Sequence, residues 1–405
     1  MTVDALAPLR ATPLELSSPA PPEPSGHRVA RTSGARRVRP RALPPRHSRR
    51  SPLARPRWMP VDGSSVVVIV PAHNESDQIA ETIESLLRQT LPPGRVVVAA
   101  DNCSDDTVEI ARRYDFTVME TVDNTARKAG AMNQAWLRYG QHAEHVMTMD
   151  ADTTLLPSSI ERLLESLLEL RSRGAVCARY WAKDGRGLAW RLQRLEYARY
   201  DDKREIRGWG VQVSSGAASM YRGRLLRQVV EAHEREAPWD EGSLIEDYGL
   251  TLDLKTLGYE VRAASACHVL TDTPPTFREL WRQRQRWGRG GVDECRKRGW
   301  TRATRRDIAA YGLFAFGIVM RLLFVAFLVI LVVSGLPFAL SLIGLVPIAV
   351  LWVDRVTSAW RLPGRDSRDL LIASTLLLED AYGLFLEVCT LFAVVRSLRS
   401  ARQAW

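Results

Sequence analysis

The sequence predicts an α/β domain built on a parallel, doubly wound sheet, followed by helices that cross a membrane. Three observations carry that expectation. Strand-like and helix-like runs alternate four times between Ser65 and Arg171, the pattern of a sheet with helices on both faces. Polar residues fall at the ends of successive strand-like runs, where such sheets gather their ligand crevice. Leu322 to Val353 is 32 residues without a formal charge, whereas one spanning helix needs roughly 20.

The first strand is the β-branched run Ser65-Val-Val-Val-Ile-Val-Pro71, as expected where both faces of a strand are covered. Ala72 to Ser76 makes the turn, and Ile79, Ile83, Leu86 and Leu87 give Glu75 to Gln89 a helical spacing. Arg95 to Ala100 is the second strand. It ends on Asp101-Asn-Cys-Ser-Asp-Asp106, where Ser104 or Asp105 caps the next helix around Val108 to Arg113. Phe116 to Met119 is a short third strand, and Lys128-Ala-Gly-Ala-Met-Asn133 opens another helix. The fourth strand, from His145, ends in Asp150-Ala-Asp152, and a helix runs from about Pro157 to Arg171.

Asp150 and Asp152 are two residues apart, so alternation along a strand can send both carboxylates into one crevice. Close anions repel unless a cation lies between them, and hard oxygen ligands suit Mg²⁺ or Mn²⁺ carrying a diphosphate. The same acids could instead serve the turn or cap the helix beyond Pro157. Glu75, Asp101 and the Asp150–Asp152 pair stand at successive strand ends, and Lys128 fits the same rim as a cation for phosphate oxygens. His142 and His145, three apart, read as a surface pair before the strand rather than as metal ligands.

The net charge of +10 suggests nucleic acid until it is localised: residues 1–60 hold twelve Arg against Asp4, Glu15 and Glu23, leaving about +1 for the remainder. Those 60 residues are rich in Pro and Arg with little apolar periodicity, and are expected to be a disordered tail. The five cysteines show no paired spacing, so neither a disulfide framework nor a zinc site is suggested. No nucleic-acid partner is expected.

Four stretches in this order, Val70-Pro-Ala-His-Asn-Glu75, Ala100-Asp-Asn-Cys-Ser-Asp-Asp106, Lys128-Ala-Gly-Ala-Met-Asn133 and Asp150-Ala-Asp152, resemble a family 2 glycosyltransferase. The likeness continues through Gln193-x-x-Glu-Tyr197, Ser215-Gly-Ala-Ala-Ser-Met-Tyr-Arg222, Ile245-Glu-Asp247 and Gln283-x-x-Arg-Trp287, covering about residues 64 to 300. The resemblance implies a GT-A, Rossmann-like domain at 61–300, whose part from about 180 binds the acceptor. It also implies a nucleotide-sugar site of Pro71, Ala72, Glu75, Asp101, Lys128, Asp150, Gln283 and Arg286, with Glu75 and Asp101 on the uridine and Lys128 on the phosphates. Asp150 and Asp152 would hold Mg²⁺ or Mn²⁺, Glu246 and Asp247 would be catalytic with Asp247 as general base, and Trp287 would stack on an acceptor sugar. Ile245 stands where the family commonly has Thr. Taken by position alone, Asp247 is equally an acid at a helix start, favoured by the helix dipole.

A membrane region is expected at 308–395. The first span reads from about Ala309 to Ser334, with Arg321 snorkelling or facing protein, and a short second span from about Phe338 to Val353. Basic residues at Arg296 to Arg306 and at Arg355, Arg361, Arg365 and Arg368 put both flanks, and the sugar-transferring domain, in the cytoplasm of a multi-pass membrane protein. A third span, Leu370 to Val395, is interrupted by Glu379, Asp380 and Glu387; an interfacial segment is its alternative. The expected activity is inverting transfer of a sugar, UDP-linked, onto a glycan or lipid-linked acceptor beside membrane lipids. The rivals are a single-addition transferase acting on a polyprenyl phosphate or glycolipid, and a silent membrane scaffold. Sugar, linkage, processivity and oligomeric state are left open.

Overall fold

The computed structural model describes residues 61–335 and 342–399. The expected tail at 1–60 lies outside that range, as do residues 338–341 of the second expected span.

Strands β1 (Val66–Ala72), β2 (Arg95–Ala100), β3 (Thr117–Glu120) and β4 (His145–Met149) alternate with helices α1 (Ile79–Leu87), α2 (Thr107–Ala111) and α3 (Arg127–Ala135). The two-residue strand β5 (Thr154–Leu155) and helix α4 (Ser159–Glu169) follow. Each lies within a few residues of its expected place. Helix α1 begins later than expected because Asn74 takes a left-handed φ of 55° and Glu75 to Gln78 form a turn. At α2 the carboxylate of Asp105, rather than Ser104, accepts from the Thr107 N–H at 3.1 Å.

The second half comprises β6 (Arg173–Ala182), α5 (Leu188–Ile206), β7 (Ala218–Arg222), α6 (Gly223–His233), α7 (Glu246–Thr256), β8 (Glu260–Thr271) and α8 (Phe277–Arg298). The sheet has eight strands in the order β3-β2-β1-β4-β7-β6-β8-β5. The pairs among β3, β2, β1 and β4 are parallel, as expected. Beyond β4 the expectation of an all-parallel sheet is corrected: β7 runs antiparallel to both β4 and β6, while β6 and β8 are parallel. The strands β1 to β4, β6 and β8 therefore end on one rim, and β7 begins there. The chain order reverses between β1 and β4, which makes that gap the switch point of the sheet.

Alternation along β1 feeds two cores. Val66, Val68 and Val70 pack with Ile79, Ile83 and Leu86 of α1 and Leu163, Leu164 and Leu167 of α4. Ile69 looks the other way, with Val97 and Ala99, onto Met132 and Ala135 of α3 and Leu250 and Leu254 of α7. All five residues of β4 are buried, so His145 is not a surface residue; its Nδ1 lies 3.0 Å from the Ser65 hydroxyl. His142 is exposed.

Four helices complete the described chain: α9 (Arg305–Val333), α10 (Leu342–Trp360), α11 (Ser367–Thr375) and α12 (Leu377–Leu398). Helix α9 contains the first expected span and exposes Leu322, Phe324, Val325, Phe327, Val329 and Val332. Its 29 residues make about 43 Å of helix at ~1.5 Å per residue, more than the ~30 Å of a hydrocarbon core. The segment expected as a third span is two helices, broken where Leu376 takes φ 57°. Helix α12 runs alongside α8 in the same direction: Phe385 meets Phe277 and Trp281, the Gln285 amide donates to the Cys389 carbonyl at 2.6 Å, and Ser397 donates to Asp293 at 2.5 Å. Arg321 of α9 pairs with Glu387 of α12 at 2.7 Å, with about half of its side chain (53%) still exposed.

Candidate active site

The crevice opens at the β1/β4 switch point, and each wall of it is a strand end or helix start. The β4 strand delivers Asp150 and Asp152, and neither is a helix cap: Ser158 precedes α4. Lys128, in the first turn of α3, lies 2.5 Å from Asp150 Oδ1 and 3.1 Å from Glu246 Oε1. One ammonium thereby joins the strand-end acids to the acid pair that opens α7. The β7 reversal supplies the fourth wall, because the loop before it brings the Gly216 N–H within 3.2 Å of Asp247 Oδ2. A Cβ on Gly216 would lie 2.6 Å from Lys128 Nζ and 3.1 Å from Asp150 Oδ2, so a side chain there would push the Lys128 ammonium from its place.

Crowding of anions in a half-buried crevice sets the electrostatics. Burial, then Asp150 and Glu75, push the Asp152 carboxyl up to about 7. Burial and the neighbouring Glu246 push Asp247 up to about 7, although Lys128 opposes them. Burial, then Asp150 and Asp272, also raise Glu75. For Lys128 burial alone would lower the ammonium, but Asp150, Glu246 and Asp247 outweigh it and hold the charge firmly. Such a cluster is built to receive a cation. Among the described residues no three His, Cys, Asp or Glu side chains converge into a closed ion cage. Asp150 and Asp152 fit an ion shared with a diphosphate, since Mg²⁺ commonly takes one or two carboxylates and completes its shell from substrate and water.

Asp101 closes the β2 end of the rim. Its Oδ1 accepts from Asn102 at 2.9 Å, Thr121 at 2.8 Å and Asn124 at 2.7 Å. The same Asn124 amide donates to the Arg127 carbonyl at 2.8 Å, and its oxygen accepts from the Ala126 N–H at 3.0 Å, tying Asp101 to the start of α3. Pro71 and Ala72 are the buried last residues of β1, and the Ala72 carbonyl accepts from the Asp101 N–H at 2.8 Å.

The α8 residues are placed differently. Arg286 is exposed and near enough to Arg127 for the two cations to repel, which brings it to the α3 side of the crevice. The Gln283 Oε1 atom is buried without a hydrogen-bond partner. Trp287 is 38% exposed and its ring lies under the Arg284 guanidinium at 4.6 Å, a cation–π contact within the helix rather than a contact with the acids. At Ile245 the side chain packs against α8, where a Cβ on Gly290 would be 2.7 Å away. Asp247 takes its hydrogen bonds from the N–H groups of Gly216 and Tyr248 instead.

Sequence reasoning missed Asp272, which follows β8 on the same rim and accepts from the Gln78 amide at 3.1 Å. The strand-end rule would have found it had Glu260 to Thr271 been read as a strand. It also missed Asn124, for which the sequence carries no signal, since its role depends on a left-handed backbone at Asp123 and Arg127.

Residues 67–230 match the model of the family described as Glycosyl transferase family 2. The chain is 25% identical over 271 residues to a poly-β-1,6-N-acetyl-D-glucosamine synthase of Staphylococcus epidermidis, covering 65% of this chain and 62% of that protein. It is 27% identical over 236 residues to the probable glycosyltransferase YdaM of Bacillus subtilis, covering 56% and 54%. The chain thus spans about three-fifths of the length of these relatives. Among solved structures it is similar to a mannosyltransferase of Pyrobaculum calidifontis in complex with GDP-Man and Mn²⁺, at 17% identity and a TM-score of 0.49, covering 86% of this chain and 92% of that one. With the strand-end motifs of β1, β2 and β4 lining one crevice, residues 67–230 form a family 2 glycosyltransferase domain.

Proposed function

We propose that this chain is a membrane-embedded, metal-dependent, inverting glycosyltransferase that moves a sugar from a UDP-linked donor onto a β-linked glycan. The observation that carries the reading is the Lys128 bridge between Asp150 and Glu246, beside Asp247. It sets donor-side acids and an acceptor-side acid on opposite flanks of one ammonium. The domain at 61–300 is of GT-A type in this reading, with the part from about 180 facing the acceptor.

The base sits against Asp101, whose Oδ1 is saturated by three donors and whose other oxygen is left to accept one ring N–H. The diphosphate lies between Lys128 and Arg286, and Asp150 and Asp152 would hold Mg²⁺ or Mn²⁺, which would supply positive charge to the leaving diphosphate. Asp247 takes the proton of the acceptor hydroxyl while its oxygen bonds to the anomeric carbon, and the bond to the diphosphate breaks on the opposite side. One displacement with a single base inverts the configuration at that carbon. Trp287 offers the acceptor an apolar ring at the edge of the crevice.

The exposed apolar lengths of α9 and α10 are the membrane pair, with the catalytic domain on the cytoplasmic side. The likeness to a polymer-forming synthase supports a glycan as acceptor. Purified full-length protein incubated with UDP- and GDP-sugars and Mn²⁺ should release nucleotide and extend a glycan with one UDP-sugar. Asp152→Ala and Asp247→Asn should each abolish transfer in protein that remains folded. Native turnover in either variant would defeat the assignment, and a product that stops after one sugar would favour the single-addition enzyme.

A further inference from the structure

The acid pair of α7 is held from below by the root of α9. Tyr248, next to Asp247, is 2% exposed and donates its hydroxyl proton to Asp307 Oδ2 at 2.7 Å. Asp307 stands in the first turn of α9, and it is the buried residue of that helix among the described ones. The contact is no isolated bond. Tyr248, Leu252 and Cys295 form a buried cluster with Ile245, Ile308 and Tyr311 packed against it, so α7, α8 and α9 meet there. Arg298 at the end of α8 donates to the Gly249 carbonyl at 3.1 Å and pairs with Glu294 at 3.1 Å and with Asp253.

The position of Asp247 follows from that of Tyr248. Asp247 Oδ1 accepts from the Tyr248 N–H at 2.7 Å, so the backbone that Asp307 fixes through the phenol is the backbone that orients the carboxylate. A buried O–H···O⁻ bond is charge-assisted and directional, stronger than a neutral pair. Its loss leaves a carboxylate buried with one donor fewer, which α7 can relieve by shifting. Displacing a reacting group by ~1 Å can cost on the order of 10²-fold in rate.

We propose that Asp307 is a positioning residue for transfer: through Tyr248 it sets the register of α7, so the root of the first membrane helix aims Asp247 at the acceptor. The inference rests on the reading of Asp247 as the base.

The test uses Tyr248→Phe, Asp307→Asn and the double variant in full-length protein, beside Asp247→Asn. Backbone amide exchange across Glu246–Thr256, read by mass spectrometry, needs no donor and should quicken at least tenfold in each single variant. With the donor found in the nucleotide-sugar panel, kcat should fall at least tenfold while the donor KM stays within twofold, since Lys128, Asp150 and Asp101 are untouched. The double variant should lose no more than the worse single one, because Tyr248→Phe removes the bond and Asp307→Asn takes the charge from the acceptor of that same bond. Native exchange with native kcat, or losses that multiply in the double variant, would overturn the inference. If Asp247→Asn transfers sugar at the native rate, the reading of the site falls. If it is inactive while Tyr248→Phe and Asp307→Asn turn over normally, only the positioning role falls.

Discussion

A carboxylate pushed up to about 7 has opposite consequences for turnover and for stability. On the proposed reading of Asp247 as the base it must be ionised, so kcat/KM should fall about tenfold per unit as pH drops below about 7, the value to which burial and Glu246 raise it. For stability the sign reverses. A group whose folded pKa is raised binds its proton more tightly when folded, so stability is lost as pH rises from the unfolded value of 3.8 through about 7. Asp247→Asn should therefore melt higher than the native protein at pH 8, with the gap closing towards pH 5. A melting difference independent of pH would contradict this sign. Asn124 offers a second residue-scale test. Hydrogen bonds to charged groups contribute roughly 1.5–3 kcal/mol, so on the proposed reading of a UDP-linked donor, Asn124→Ala, by freeing Asp101 and the start of α3, should weaken UDP binding about tenfold or more in calorimetry.

Among the elements, α12 is long and apolar enough to cross a membrane, as its sequence reading has it, yet it packs along α8. An apolar run with three acids leaves open what the acids meet, because composition does not name their partners. Glu379 is buried between Arg199 of α5 at 2.5 Å and Arg355 of α10 at 2.6 Å. Glu387 meets Arg321, so both charges that looked out of place in apolar helices satisfy one another. Helix α8 carries Arg278, Arg282, Arg286, Arg289 and Arg296 and cannot cross a bilayer, and α12 follows it for most of its length. A reporter fused after Trp405 should therefore label the same face of the membrane as one placed in the catalytic domain, and the basic residues Arg396 and Arg399 then obey the charge rule. Labelling on the opposite face would restore a third crossing.

At the scale of the whole molecule, what was legible depended on how local the cause was. The strands β1, β2 and β4 announce themselves as β-branched or apolar runs, and the acids at their ends follow from the geometry of parallel sheets. The reversal at β7 does not, because Ala218-Ser-Met-Tyr-Arg222 has the composition of any buried strand and direction is decided by partners far away in the chain. His145 was misjudged for a related reason: it opens a strand whose burial comes from its neighbours on both sides. The cluster of Glu75, Lys128, Asp152 and Asp247 could be anticipated residue by residue. The bridge through Lys128 could not, since it joins α3 to α7 across more than a hundred residues.

The two apolar helices α9 and α10 leave from and return to one folded body, and both junctions are tied. The first is the Tyr248–Asp307 bond, and the second is the set formed by Arg355 with Glu379, Ser358 with Asp202, and Arg191 with Asp366 and Asp369. On the proposed membrane reading, such a body cannot tumble or swing on a tether above the lipid. Its crevice keeps one constant tilt and height, so an acceptor sliding within the leaflet always arrives from the same quarter, while one dissolved in water gains nothing from that alignment.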